Sequence, residues 1–182
     1  METGSRSREE GVLLFRWQND GDEKAFRAVL DRDSAIVFAL VSTLTQGDPK
    51  TVFRTTHGCF LEALRELPYL KSTFLKKALS LAVEKSKGFS AGAASLPKGL
   101  QVPPAQKKTF EKVWRALSQI SYSQRALLLL RDQINLSYAD ISEIMNLPEK
   151  TVKLETTQAR IRLREKMRRL LEGRGKDDGL SE

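Results

Sequence analysis

In 182 residues the chain holds one cysteine, Cys59, and one histidine, His57. A single thiol cannot close an internal disulfide, and two side chains two apart on a helix point in different directions. Neither a metal site nor a Cys–His nucleophile can be built from them, and no metal is expected. No apolar run approaches the ~20 residues needed to cross a bilayer, so no membrane insertion is expected. The opening METGSRSREEG has no apolar core behind its charges, which argues against a secretory signal and for a cytoplasmic protein. Strand alternation, internal repeats, a phosphate-binding glycine loop and a nucleophile–base pair are all missing, so an enzyme or a bound cofactor is not expected.

What the chain does contain is helix-forming and basic. Hydrophobic residues make up 40% and charged residues 30%, a globular balance, with a net charge of +8. From Lys107 to Lys176 there are 16 basic against 8 acidic residues, whereas residues 1–106 are nearly balanced at 15 against 12. A basic C-terminal half suggests a polyanionic partner, although solvated helix surfaces are often basic too. Between the halves lies GFSAGAASLPKGLQVPPAQ, residues 88–106, rich in Gly, Ala, Ser and Pro and free of acidic residues. It reads as a flexible linker. The expectation is all-α: an N-terminal tail at 1–20, a small helical domain at 21–87, the linker at 88–106, a second helical domain at 107–172 and a C-terminal tail at 173–182.

In the first domain Asp22 can cap a helix on which Phe26, Val29, Leu30, Val37, Leu40, Val41 and Leu44 recur at helical spacing. Asp48 and Pro49 open a second helix carrying Val52, Phe53, Phe60, Leu61, Leu64 and Leu67. A third, about residues 72–87, carries Phe74, Leu75, Ala78, Leu79 and Ala82. In the second domain Phe110, Val113, Trp114, Leu117 and Ile120 form one stripe, and residues 126–130 are apolar nearly all round, as in a central helix.

The segment LSYADISEIMNLPEKTVKLETTQAR, residues 136–160, has the outline of a helix-turn-helix. Ser137 and Asp140 are spaced as a capping box, Asn146 can take the left-handed conformation that ends a helix, and Pro148 fits the opening of the next. On a wheel of 100° per residue Val152, Thr156, Ala159 and Leu163 share an inner face. Lys150, Lys153, Leu154, Thr157, Gln158, Ile161, Arg164 and Arg168 lie opposite. In such a motif the first residues of the second helix meet base edges, and surrounding basic residues meet phosphates. Gln158 could pair with adenine and Leu154 could meet a thymine methyl. Glu155 falls to the side, as an i,i+4 partner for neighbouring basic residues. Helix-turn-helix shapes also serve as protein-binding modules.

The words SYSQRALLLLRDQINLSYADISEIMNLPEKTVK and ARIRLREKM resemble the promoter-reading domain of sigma factors of the extracytoplasmic-function group, sigma region 4. GDEKAFRAVLDRDSAIVFAL and FLEALREL resemble that group's other conserved domain, sigma region 2. The resemblance covers nearly the whole chain except its tails. It implies an alternative sigma factor that binds core RNA polymerase and directs promoter-specific transcription initiation, with an anti-sigma factor as a further partner. Promoter DNA at the upstream element would then meet Lys150, Thr151, Lys153, Leu154, Thr157, Gln158 and Arg160. The downstream element would meet Lys71, Lys76, Lys77, Lys85 and Lys87, and polymerase would meet Arg54, His57, Phe60 and Leu61.

The departures are specific. Where the family carries Asp, Glu and Gln for the polymerase clamp, this chain reads PKTVFRTTHGC, without an acidic residue. The usual tryptophan early in the third helix is Phe74, and the common Ser-Arg pair of the recognition helix is Leu154-Glu155. The alternative is therefore a sigma-like regulator that binds an anti-sigma factor or other protein without initiating transcription. A linker of about 20 residues spans only ~25 Å on average, so the free domains should be able to fold together. Leu154 and Ile161, apolar on a polar face, are natural contacts for such a closed form.

Overall fold

The computed structural model describes residues 2–67, 73–89 and 103–172, with side chains from Arg8 onward. All the described elements are helical: α1 (Glu2–Asp20), α2 (Glu23–Thr45), α3 (Pro49–Glu66), α4 (Phe74–Ser86), α5 (Pro104–Ser118), α6 (Tyr122–Leu128), α7 (Tyr138–Met145) and α8 (Glu149–Glu172). A π-helical turn, Leu129–Gln133, continues α6. No described helix is long and apolar enough to cross a membrane.

Short polar side chains set most of the boundaries. Asp22 accepts from the amides of Lys24 and Ala25, and Asp48 from those of Lys50 and Thr51. Each satisfies donors that the first helical turn leaves without an intrahelical partner. Gln46 ends α2 in the left-handed region, at φ 46°. Of the segment 1–20, expected as a tail, Glu2–Asp20 instead forms α1, which stops at Gly21 with φ +64°. What holds α1 is Glu10, whose carboxylate accepts from the amide of Phe74 at 2.6 Å and from Arg32 at 3.0 Å. Arg32 also forks onto Asp33 at 2.8 and 2.9 Å. Thus α1 caps the start of α4 from 64 residues away. That long-range contact has no local sequence signal.

One apolar cluster runs through both halves of the chain. Val29, Val37, Leu40, Val41 and Leu44 from α2 meet Val52, Cys59, Phe60 and Ala63 from α3 and Phe74, Ala78, Leu79 and Ala82 from α4. It continues into Ala126, Leu127, Leu130, Ile141, Ile144 and Val152. A smaller cluster joins Leu117, Ile120, Leu128 and Ala159, with Val113 and Leu163 against it. Three residues assigned to apolar stripes face outward: Phe53, Leu61 and Phe110. On α3 the buried stripe is narrower than the pattern suggests, because Val52, Thr55, Thr56, Cys59, Phe60 and Ala63 already fill the side toward α2 and α4.

The two halves meet where α4 packs on α7 and α2 on α6. Lys76 of α4 reaches Asp140 at 2.5 Å and Glu143 at 3.0 Å, both on α7. The Tyr122 hydroxyl donates to the Val83 carbonyl, and the Arg125 guanidinium to the Leu44 carbonyl at 3.4 Å. Leu154 and Ile161 take no part in this seam: they are 58% and 50% exposed. The closed contact uses α6 and α7 rather than the outer face of α8. Most of the segment expected as a linker, residues 90–102, lies outside the described residues, and α5 begins at Pro104, inside the expected linker boundary.

Candidate nucleic-acid interface

The helix-turn-helix forms as its local signals require. Ser137 accepts from the amide of Asp140 at 3.0 Å, and its hydroxyl donates to the Asp140 carboxylate at 2.6 Å. Asn146 turns the chain at φ 51°, ψ 49°, and the Ser142 hydroxyl donates to the Leu147 carbonyl across the turn. On α8, Val152, Thr156 and Ala159 are fully buried, and Thr156 donates back to the Val152 carbonyl. This inner face fixes the orientation of the outer one.

Of the upstream-element candidates, Lys150, Lys153, Leu154 and Thr157 are exposed, while Thr151, Gln158 and Arg160 are half-buried. Lys153 is oriented by Glu149, 2.6 Å away, and its ammonium stands 5.7 Å from the centre of the Tyr138 ring. The Arg131 guanidinium covers the same ring at 4.6 Å. Arg131 and Tyr138 therefore join the basic surface, although the sequence reading passed over them. The clue was available in the aromatic residue directly after the cap of α7.

Arg160 is the exception among these candidates. Its guanidinium grips Asp132 of the π-helical turn at 2.5 and 3.1 Å, so it ties α8 to the element that precedes α7. Hydrogen bonding to Asp132 raises its pKa, which keeps the pair charged. Glu155, expected as an i,i+4 ion-pair partner, gives that role to Glu149; Arg168 and Glu172 make a second, looser pair at 3.8 Å.

The downstream-element candidates are largely engaged within the fold. Lys76 sits in the seam between the halves, where burial disfavours its charge but the Asp140 and Glu143 carboxylates outweigh that and raise its pKa. Lys77 pairs with Glu66 at 2.6 Å and Lys85 with Glu62 at 2.7 Å. Lys87 is exposed at the end of α4, and Lys71 lies outside the described residues. Of the polymerase-facing candidates, Arg54, His57 and Leu61 are exposed on α3. Phe60 is instead buried and stacks on Phe74, with ring centres 5.9 Å apart. It is a core residue in this conformation, because position 60 falls on the stripe that α3 turns toward α4.

An α8 face of this kind stands on a capped α7 and a left-handed turn, the geometry of a helix-turn-helix. The family model for Sigma-70, region 4 matches residues 110–163. Across the whole fold the chain is similar to the sigma factor RpoE from Bartonella quintana, solved in complex with the anti-sigma factor NepR. That likeness has a TM-score of 0.63 at 17% identity and covers 80% of this chain and 98% of that one. No curated protein matches by sequence. The family model matches the second half of the fold alone, and the structural likeness, at this identity, is one of fold.

Proposed function

We propose that this protein is a divergent alternative sigma factor that binds core RNA polymerase and directs it to promoters. Two small helical units, residues 21–87 and 107–172, would contact the two promoter elements. The single observation carrying this reading is the exposed basic face at the start of α8, where Lys150, Lys153, Leu154 and Thr157 stand beside Arg131 and Tyr138. Lysines there supply phosphate contacts, and Thr157, Leu154 and the half-buried Gln158 reach base edges.

A second reading is a sigma-like regulator that engages an anti-sigma factor without initiating transcription. Two observations favour it: α3 has no acidic residue in its first turn, and Lys76 is held by α7 instead of being offered to DNA. Co-purification with core polymerase followed by transcription from DNA selected by the resulting complex separates the two. Selected transcription supports the sigma factor. Binding to DNA or to an anti-sigma factor without transcription supports the regulator, and failure to bind DNA at any salt concentration overturns the promoter reading.

A further inference from the structure

The hairpin of α1 and α2 forms a surface groove of about 650 Å³, with Trp17 of α1 and Phe26 and Leu30 of α2 as its apolar side. Trp17 and Phe26 are half-buried and stack with ring centres 4.6 Å apart and 26° between their planes. Phe26 also makes an edge contact with the fully buried Phe74, at 6.4 Å, which holds the stack in place. The groove thus offers a flat, fixed aromatic surface, and its size falls in the range of small-molecule sites, about 300–1,000 Å³.

The rim carries charges of both signs. Glu23, Lys24, Arg27 and Asp31 line the same groove and are exposed. Glu23, Arg27 and Asp31 stand at successive i,i+4 positions, where opposite charges can pair along a helix. None of the four closes an ion pair with a described residue, whereas Lys76, Lys77, Lys85, Lys153 and Arg160 all do. Two cations stand against two carboxylates, and that balance excludes several occupants. A hydrocarbon leaves all four charges without partners. A nucleic-acid strand or a nucleoside polyphosphate sets its phosphates against Glu23 and Asp31, with no excess of cations to neutralise them. A metal ion meets Lys24 and Arg27. What fits is a neutral planar ring with acceptors on one stretch of its edge and donors on the next.

We infer that the α1–α2 groove binds a free guanine nucleoside. The base lies on the Trp17–Phe26 surface, as bases do on aromatic side chains. Around its edge a guanine nucleoside presents the sugar, then the N7 and O6 acceptors, then the N1 and N2 donors. Along α2, at ~5.4 Å per turn, the groove presents Glu23 and Lys24, then Arg27, then Asp31. The two orders coincide. Glu23 and Lys24 meet the ribose hydroxyls, the Arg27 guanidinium donates to N7 and O6, and the Asp31 carboxylate accepts from the N1 and N2 hydrogens. Adenine fails this match, because it has an amino group where guanine has O6 and no hydrogen on N1. The inference does not depend on the promoter reading, because the groove lies on different elements from the basic face of α8.

The test is equilibrium dialysis of the full chain against radiolabelled guanosine. The expected result is saturable binding at one site per chain, weaker by about tenfold or more for adenosine, the discrimination that one bidentate contact supplies. Asp31→Asn and Arg27→Met should each weaken guanosine binding by about the same factor. Both positions are exposed, and circular dichroism should show unchanged helix content in both variants. Inosine, which lacks the N2 amino group, should fall between guanosine and adenosine. Equal binding of guanosine and adenosine would overturn the inference, as would the absence of saturable binding or equal binding by the wild type and both variants. A guanine-containing single-stranded oligonucleotide that displaces the label at a lower concentration than unlabelled guanosine would overturn it too, and assign the groove to a nucleic-acid strand. None of these outcomes touches DNA binding by α8, so the two readings fail separately.

Discussion

At the scale of single residues, the most consequential side chain is one whose role only the folded structure reveals. Glu10 is buried, and its pKa is raised: desolvation is the largest cause, ahead of the opposing Phe74 amide, and Asp33 adds to it while Arg32 opposes it. Glu10→Ala should leave the Phe74 amide and part of Arg32 unpaired, a loss of about 1–3 kcal/mol by urea denaturation. Glu10→Gln keeps an acceptor for the amide and should lose less. The pH dependence has a definite sign. An acid whose folded pKa lies above its unfolded one contributes stability that is fully present below the ordinary carboxylate range and is lost as pH rises through the folded value. The stability advantage of wild type over Glu10→Gln should therefore shrink with rising pH across that window. An advantage that grows instead would show that Arg32 dominates the site.

Cys59 offers a second measurement at this scale. Burial pushes its thiol to about 11, so at pH 8 only about one thiol in a thousand is ionised, and the thiolate is the reactive form. A disulfide reagent should label Cys59 no faster than the chain opens, and labelling should accelerate in mild urea. Immediate labelling of the native protein would mean that α3 leaves the core readily.

The elements show which parts of the fold could be read from the sequence and which could not. The caps at Asp22, Asp48 and Ser137 and the left-handed turn at Asn146 were legible because each is a short-range arrangement of one side chain and nearby amides. The inner face of α8 was legible for the same reason, since its periodicity is local. Helix α1 was not, because its anchor is the long-range pairing of Glu10 with Arg32 and Phe74. The direction of Phe53 was hidden too: an aromatic residue on an amphipathic helix reads as core whether it faces a neighbour or a partner. The candidate site was legible as a segment, but the division of labour within it was not. Lys153 and Arg160 look alike in sequence, yet one is exposed and the other is clamped to Asp132.

That distinction gives the prediction for α8. Lys153→Ala should weaken DNA binding at all sequences and lower the salt slope by about one unit, as the loss of one phosphate contact does. Gln158→Ala should relax preference at a single base, by roughly 1–3 kcal/mol against the preferred site. A salt series on selected DNA measures both. Arg160→Ala should chiefly loosen α8 from the π-helical turn and leave the base preference intact. If Arg160→Ala were the variant that changed base preference, its side chain would have to leave Asp132 on binding.

At the scale of the whole molecule, the seam between α4 and α7 and between α2 and α6 decides how far apart the halves can act. It is held by apolar contact and by Lys76, but it is imperfectly satisfied. Arg125 is only 3% exposed, its Nε has no hydrogen-bond partner, and burial lowers its pKa. A buried guanidinium whose Nε lacks a partner among the described residues and whose bond to the Leu44 carbonyl is a long 3.4 Å opposes closure. Arg125→Met keeps the apolar stem, removes the charge and should tighten the closed form, raising the melting temperature. Lys76→Glu sets three carboxylates together with Asp140 and Glu143 and should loosen it, and Asp140→Lys/Glu143→Lys in the same chain should restore it. Asp140 adds a pH dependence. Burial raises its pKa, but the Lys76 and Ser137 hydrogen bonds prevail and hold it below the ordinary carboxylate value. Its contribution is therefore present above that value and lost as pH falls through the folded one. Small-angle scattering of the closed chain should give a radius of gyration near the ~16 Å of a compact body this size. Lys76→Glu should increase that radius, and Leu154→Asp/Ile161→Asp should leave it unchanged, because neither residue touches the seam. An unchanged radius in Lys76→Glu would mean that apolar contact alone holds the halves together. On the proposed sigma-factor reading, a promoter-bound form would then have to break that contact at the expense of binding energy from DNA and polymerase.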